Sequence, residues 1–220
     1  MSFKFNPFTK KPDYYEEAPP SDIFEKFLDI FNWNSVDGWK SNILGTGSVT
    51  PNGVWIALMN NIVAVNDYTY VRSGDCYYGL LNTGKVFTIE WQIIYMENTA
   101  QEIWLVGSGS STTPPSDTTA HFGFKIINGD LWASNADGTT QTITDTGVDL
   151  LSEWKRKRFK LVFTVGTDIK FYYNGVLKAT HTTNLYPAGG GPYIIMGVKG
   201  TSAGDTKPLY LLRVLIEGEY

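Results

Sequence analysis

From residue 33 onward, apolar and polar side chains alternate in short runs. Phe87, Ile89, Trp91, Ile93 and Tyr95 are separated by Thr88, Glu90, Gln92 and Ile94. Phe122, Phe124 and Ile126 alternate with His121, Gly123 and Lys125. Phe159, Leu161, Phe163 and Val165 alternate with Lys160, Val162 and Thr164, and Ile169, Phe171 and Tyr173 with Asp168, Lys170 and Tyr172. A period of two puts each apolar set on one face of a sheet. Further strands are expected at 53–58, 62–65, 68–72, 77–81, 102–106, 139–144, 193–198 and 208–217. Asn128-Gly129 and Asn174-Gly175 break the pattern where tight hairpins need two positive-φ residues, and Asp137-Gly138 repeats the signal. Many short strands punctuated by turns predict an all-β sandwich or barrel. Gly107–Thr119 and Gly200–Lys207 read as long loops.

The first 32 residues follow another pattern. Pro7, Pro12, Pro19 and Pro20 deny residues 1–20 a helix or a central strand. The same stretch carries Phe3, Phe5, Phe8, Tyr14 and Tyr15, although a solvated tail is normally poor in aromatics. An extended arm over 1–20 that docks on a partner protein through Phe3, Phe5, Asn6, Pro7, Phe8, Tyr14 and Tyr15 accounts for both features and is the preferred reading, the alternative being an arm folded back on its own domain. Over 21–32 the spacing predicts one short amphipathic helix or linker. Ser21 or Asp22 caps it, Glu25 completes a capping box, and Ile23, Phe24, Phe27, Leu28 and Phe31 form its apolar stripe. Residues 33–220 make up the β domain.

Two resemblances sharpen this reading. Arg158 to Phe163, then Gly166-Thr167, then Ile169-Lys170-Phe171-Tyr172-Tyr173-Asn174-Gly175-Val176-Leu177 resembles the hallmark hairpin of laminin G-like and concanavalin A-like domains. Phe87-Thr88-Ile89-Glu90-Trp91 is similar to their early inner strand, and Leu209 to Glu217 to their closing strand. Phe31 to Trp39, followed by Gly45 to Val49, looks like their opening strand and turn. The resemblance implies a two-sheet antiparallel jelly-roll sandwich. Phe5-Asn6-Pro7-Phe8-Thr9, with Lys11 and Asp13-Tyr14 beyond, resembles an N-terminal peptide of tailed-bacteriophage virion proteins, with Lys10 where that peptide has Gly. It implies a virion component docked on a capsid, neck or tail protein and present in many copies or as a homo-oligomer.

Composition narrows the chemistry. A formal charge of −4 over 220 residues gives no basic surface for phosphate backbones, so nucleic acid is not an expected partner. The start lacks the apolar core of a signal peptide, and no apolar run is long enough to span a membrane. Synthesis in a host cytoplasm and a final place in the virion are expected, without membrane insertion. The single cysteine, Cys76, rules out an internal disulfide and reads as a structural thiol.

Some concanavalin A-like proteins are glycoside hydrolases that place carboxylates along one strand as Glu-x-Asp-x-x-Glu, and retaining enzymes need two carboxylates about 5–5.5 Å apart. The matching strand here has Glu90 but Gln92, a neutral amide that neither attacks nor carries a proton. Glu102 with Glu90 is the one pairing to inspect, and no enzyme is expected. His121 and His181 stand apart at strand ends and read as surface histidines. Asp137, Asp145, Asp149 and Asp205 form no dense acidic loop, so no metal and no cofactor is expected. Seven tryptophans leave room for a flat sugar platform. Trp91 alternates with core residues, while Trp104 and Trp132 are the candidates for exposed, glycan-binding rings.

The leading expectation is a non-enzymatic virion protein displaying a jelly roll, with cell-surface glycan as a possible ligand. A free-standing carbohydrate-binding module or lectin comes second and a divergent hydrolase third.

Overall fold

The computed structural model describes residues 39–51, 56–59, 65–73, 81–95, 101–110, 115–150, 155–201 and 208–219, together with the backbone of three earlier strands. Those are β1 (Phe3–Phe5), β2 (Pro12–Tyr14) and β3 (Ile23–Asp29). They are followed by β4 (Trp39–Leu44), β5 (Ser48–Pro51), β6 (Ile56–Met59), β7 (Tyr68–Ser73), β8 (Val86–Ile94) and β9 (Gln101–Ser108). Next come β10 (His121–Ile127), β11 (Asp130–Ala136), β12 (Gln141–Asp149), β13 (Arg156–Thr164) and β14 (Asp168–Tyr173). The last are β15 (Val176–His181), β16 (Tyr193–Gly200) and β17 (Leu209–Glu219). No described residue is helical.

Two antiparallel sheets face each other. One is seven-stranded, in the order β12-β11-β10-β9-β16-β7-β4. The other is eight-stranded, in the order β15-β14-β13-β8-β17-β6-β5, with β3 paired to β17 off that path. This is the all-β two-sheet sandwich implied by alternation and turn chemistry. The Asn-Gly turns work as the sequence requires. Asn128 and Gly129 sit at φ 54° and 90°, and Asn174 and Gly175 at 47° and 82°, so each two-residue loop closes a hairpin matched to strand twist. The first turn sets the register of β10 on β11, with Ile127 opposite Asp130 and Lys125 opposite Trp132.

The core lies between the sheets, and aromatic rings dominate it. From the seven-stranded sheet, Phe122 meets Phe87 and Tyr186 edge-on at centroid distances of 6.0 and 5.2 Å, and Phe163 at 5.3 Å. Phe124, two residues on, meets Trp91 at 6.2 Å and both Phe159 and Phe171 at 5.4 Å. Each edge-to-face pair adds about 0.5–1.5 kcal/mol beyond the area it buries. Gly107 lies directly opposite Phe122 on β9, and a Cβ there would come within 2.4 Å of the Phe122 ring. Glycine at 107 is therefore the condition for the ring's position.

One expectation is corrected. Residues 21–32 do not hold the short helix, because Ile23–Asp29 is strand β3, laddered on β17 from Ile23 opposite Glu219 to Asp29 opposite Arg213. The apolar spacing satisfies a helix locally, but an eleven-residue strand offers a long edge, and seven residues of non-local pairing outweigh local propensity. Within the expected arm over 1–20, β1 and β2 pair with each other, Phe3 opposite Tyr14 and Phe5 opposite Pro12. Asn6, Pro7, Phe8 and Tyr15 lie outside the described residues, as do Cys76 and most of the strands expected at 62–65 and 77–81.

Truncating the central ring tests the packing. Phe124→Ala should cost about 3–5 kcal/mol in urea unfolding. Val176→Ala, on an exposed strand end, should stay within about 0.5 kcal/mol of the parent. Equal effects at the two positions would contradict the core described here.

Candidate functional site

The outer face of the seven-stranded sheet carries the chemistry. Phe122, Phe124 and Ile126 point into the core, so their neighbours His121, Gly123 and Lys125 point outward. Register then lines up cross-strand rows. One runs Asp145, Trp132, Lys125, Trp104, Gly197, Tyr70 and Asn42. The next runs Ile143, Ser134, Gly123, Val106, Ile195, Arg72 and Lys40, and beyond it lie Gln141, Ala136, His121, Ser108 and Tyr193.

On one half of this face sits a polar cluster. His121 is fully buried and donates from Nδ1 to the Thr119 carbonyl at 2.7 Å. That leaves Nε2 to accept the Ser134 hydroxyl at 2.7 Å, while Gln141 Nε2 donates to Ser134 Oγ at 3.1 Å. Burial pushes the imidazole down from 6.5 to about 4, helped by the nearby Lys125 charge. Lys125 Nζ pairs with Asp117 Oδ1 at 2.7 Å, and Gln141 Nε2 reaches the same oxygen at 3.3 Å. The Lys125 hydrogen bond holds the Asp117 carboxyl below its ordinary range. Asp117 belongs to the loop between β9 and β10, which is tied down by Ser116 and Thr119 and by Gly109 N donating to the Ala120 carbonyl.

Trp132 and Trp104 flank Lys125 on neighbouring strands, and the structure separates their fates. Trp132 is partly exposed, and its indole N–H is buried without a hydrogen-bond partner. Trp104 is 2% exposed, which corrects the expectation of an exposed platform there. It lies in a second apolar cluster with Tyr70, Val106 and Ile195, against which Tyr68 and Tyr193 pack. Its Nε1 donates to Glu102 at 2.6 Å, and Lys199 Nζ stands 6.0 Å over the ring. Trp91 is a core residue, and Trp33, Trp55 and Trp154 lie outside the described residues.

Both histidines are buried, which corrects their reading as surface residues. His181 sits at the end of β15 between the sheet edges, its ring 4.8 Å from Phe171. Its Nδ1 donates to Asn135 Oδ1 and its Nε2 accepts from Thr144 Oγ1 at 2.9 Å. Asn135 donates in turn to the carbonyls of Thr183 and Asn184 at 2.9 and 2.6 Å. Every polar group of this network is matched, so it fastens the 181–184 turn to β11 and β12.

Glu90 and Glu102 cannot cooperate. Glu90 leaves the outer face of the eight-stranded sheet toward Arg158, at 3.0 Å, and Glu102 leaves the outer face of the other sheet. Register instead brings together a pair that sequence reasoning missed. Asp130 lies directly opposite Asp149, with Cβ atoms about 4.5–5.5 Å apart by ladder geometry. Both are exposed at the corner where β11 begins and β12 ends. Of the remaining aspartates, Asp137 follows β11 and accepts the Thr139 and Thr140 amides, and Asp145, within β12, accepts the Gly147 amide. No group of three metal-ligating side chains occurs among the described residues, and Asp205 lies outside them.

No protein-family model matches the chain, and no curated protein is significantly similar in sequence. Solved structures do share its fold. A β-glucanase of Bacillus licheniformis superimposes with a TM-score of 0.63 at 15% identity, covering 92% of this chain and 100% of that one. The carbohydrate recognition domain of Emp47p gives 0.62 at 11% identity, covering 92% and 100%. That of Emp46p, in its potassium-bound form, gives 0.58 at 10%, covering 86% and 94%. The fold is a concanavalin A-like jelly roll.

The buried His121 makes stability depend on pH. The unfolded imidazole takes its proton near 6.5 and the folded one only near 4, so between these values the unfolded chain binds more protons. Stability is complete above about pH 6.5 and falls as pH drops toward 4, by roughly 3 kcal/mol. His181, shifted the same way by burial, adds to the loss. Urea unfolding across this range should show a flatter pH dependence for His121→Gln than for the parent. Equal slopes would place the proton uptake elsewhere.

Proposed function

We propose that this protein is a non-enzymatic carbohydrate-binding jelly roll that holds its saccharide on the outer face of the seven-stranded sheet, at Trp132. The observation that carries the reading is the placement of Trp132. Its partly exposed ring stands between Lys125 and Asp145, and Asp117 and Gln141 hold polar groups beside Lys125. A flat ring stacks on the apolar face of a sugar, while amide, carboxylate and ammonium groups meet its hydroxyls. Solved carbohydrate recognition domains with the same fold support the choice of ligand class.

The hydrolase reading rests on Asp130 and Asp149, two carboxylates directly opposite each other on neighbouring strands. A catalytic acid keeps its proton by being shielded from water, and both of these side chains are exposed. Binding without cleavage is therefore the better account.

The arm carries the reading to a location. Its aromatic residues and its resemblance to virion N-terminal peptides support a protein docked on a capsid, neck or tail component. Many displayed copies would turn weak sugar contacts into avid adhesion. The support for this part is the sequence of residues 1–20.

On a glycan array the full chain should retain at least one saccharide, and Trp132→Ala should weaken that binding about tenfold or more. An array without hits, or a Trp132→Ala protein that binds as the parent does, removes the proposal. Reducing ends released from a bound glycan by the parent but not by Asp149→Asn would replace binding with catalysis. The full chain should co-sediment with virus particles stripped of the protein, and a folded chain starting at Ser21 should stay in solution. Equal behaviour of the two would remove the docking role of the arm.

A further inference from the structure

We propose that the Trp132 site selects saccharides bearing a carboxylate, and that Asp117 holds the place of that carboxylate in the free protein. This rests on the reading of the site as a saccharide site and names its ligand class. The argument begins with the asymmetry of one ion pair. The Lys125 side chain is 3% exposed, whereas that of Asp117 is 75% exposed. The cation is built into the middle of the sheet, and the anion comes from the loop between β9 and β10. Among the described residues, Asp117 is the single ion-pair partner of Lys125.

The groups around the Asp117 carboxylate are donors. Lys125 Nζ and Gln141 Nε2 both point at Oδ1. The other polar atoms of the cluster are already matched, since His121 donates to Thr119 O and accepts from Ser134, and Ser134 accepts from Gln141. The position is built for an anion. A buried ammonium stripped of its counter-charge is strongly destabilising. A neutral sugar that displaced Asp117 would leave Lys125 in that state, while a uronate or sialate would exchange one carboxylate for another. Charge conservation at Lys125 thus discriminates between ligands of otherwise equal shape.

The test uses the full chain against oligosaccharides carrying glucuronate, galacturonate or sialate, each paired with its carboxyl-reduced neutral counterpart. Titration calorimetry should show at least one acidic member bound about tenfold more tightly than its reduced partner. Asp117→Asn, an exposed and nearly isosteric change, should raise affinity for that acidic sugar about tenfold. Lys125→Gln, checked for folding by circular dichroism, should erase the preference. Acidic and reduced sugars bound alike, or an Asp117→Asn protein with no gain for the acid, would overturn the carboxylate selection while the saccharide site stands. Failure of every sugar to bind, acidic or neutral, would overturn both.

Discussion

The structure depends on Phe122 and Phe124 entering the space between the sheets from a single strand. Together they touch rings from β8, β13 and β14, so they join the seven-stranded sheet to the middle of the eight-stranded one. Their inward direction admits no alternative for their neighbours. His121, Gly123 and Lys125 must face outward, and a slip of one residue would bury the ammonium in the aromatic core. Gly123 shows how closely the strands are drawn, since a Cβ there would meet the Leu105 carbonyl at 2.2 Å. The polar cluster is thus positioned by apolar packing on the opposite side of the same strand.

That positioning has an electrostatic consequence. An imidazole and an ammonium, both buried, share a small region with one carboxylate. The imidazole meets the situation by staying neutral, with its tautomer set by the Thr119 carbonyl. The ammonium meets it through Asp117. His181 and Asn135 solve the same problem without charge, matching each donor to an acceptor between the sheet edges. The two buried histidines therefore do different work. One belongs to a face that has a replaceable anion, and the other to a closed structural network.

Much of the sandwich was legible from alternation and turn residues. Asn128-Gly129 even contains the pairing of Lys125 with Trp132, because a two-residue hairpin loop admits one register. Applied one step further, that register places Ser134 beside Gly123 and one row from His121, and the buried cluster was within reach. What the sequence does not carry is the identity of each strand's far neighbour. Trp104 borders a polar loop in sequence, yet β16 and β7 bring Ile195 and Tyr70 onto it from about 90 residues downstream and 34 residues upstream. Ile23 to Asp29 failed for the same reason, since its helical spacing is real and its partner β17 lies nearly two hundred residues away. Asp130 and Asp149 became neighbours only through the bulge at Leu131 and Trp132.

Strand β17 has a further consequence for how the molecule comes into being. It lies inside the eight-stranded sheet, with β8 along one edge and β6 and β3 along the other. Until residue 219 has left the ribosome, this sheet exists as β15-β14-β13-β8, the β6-β5 pair and β3, with nothing joining them. Each piece exposes strand edges that only β17 will cover. The nascent chain must therefore be kept from its neighbours until its synthesis passes that strand, and a premature stop within 209–219 would remove the middle of the sheet and not its margin.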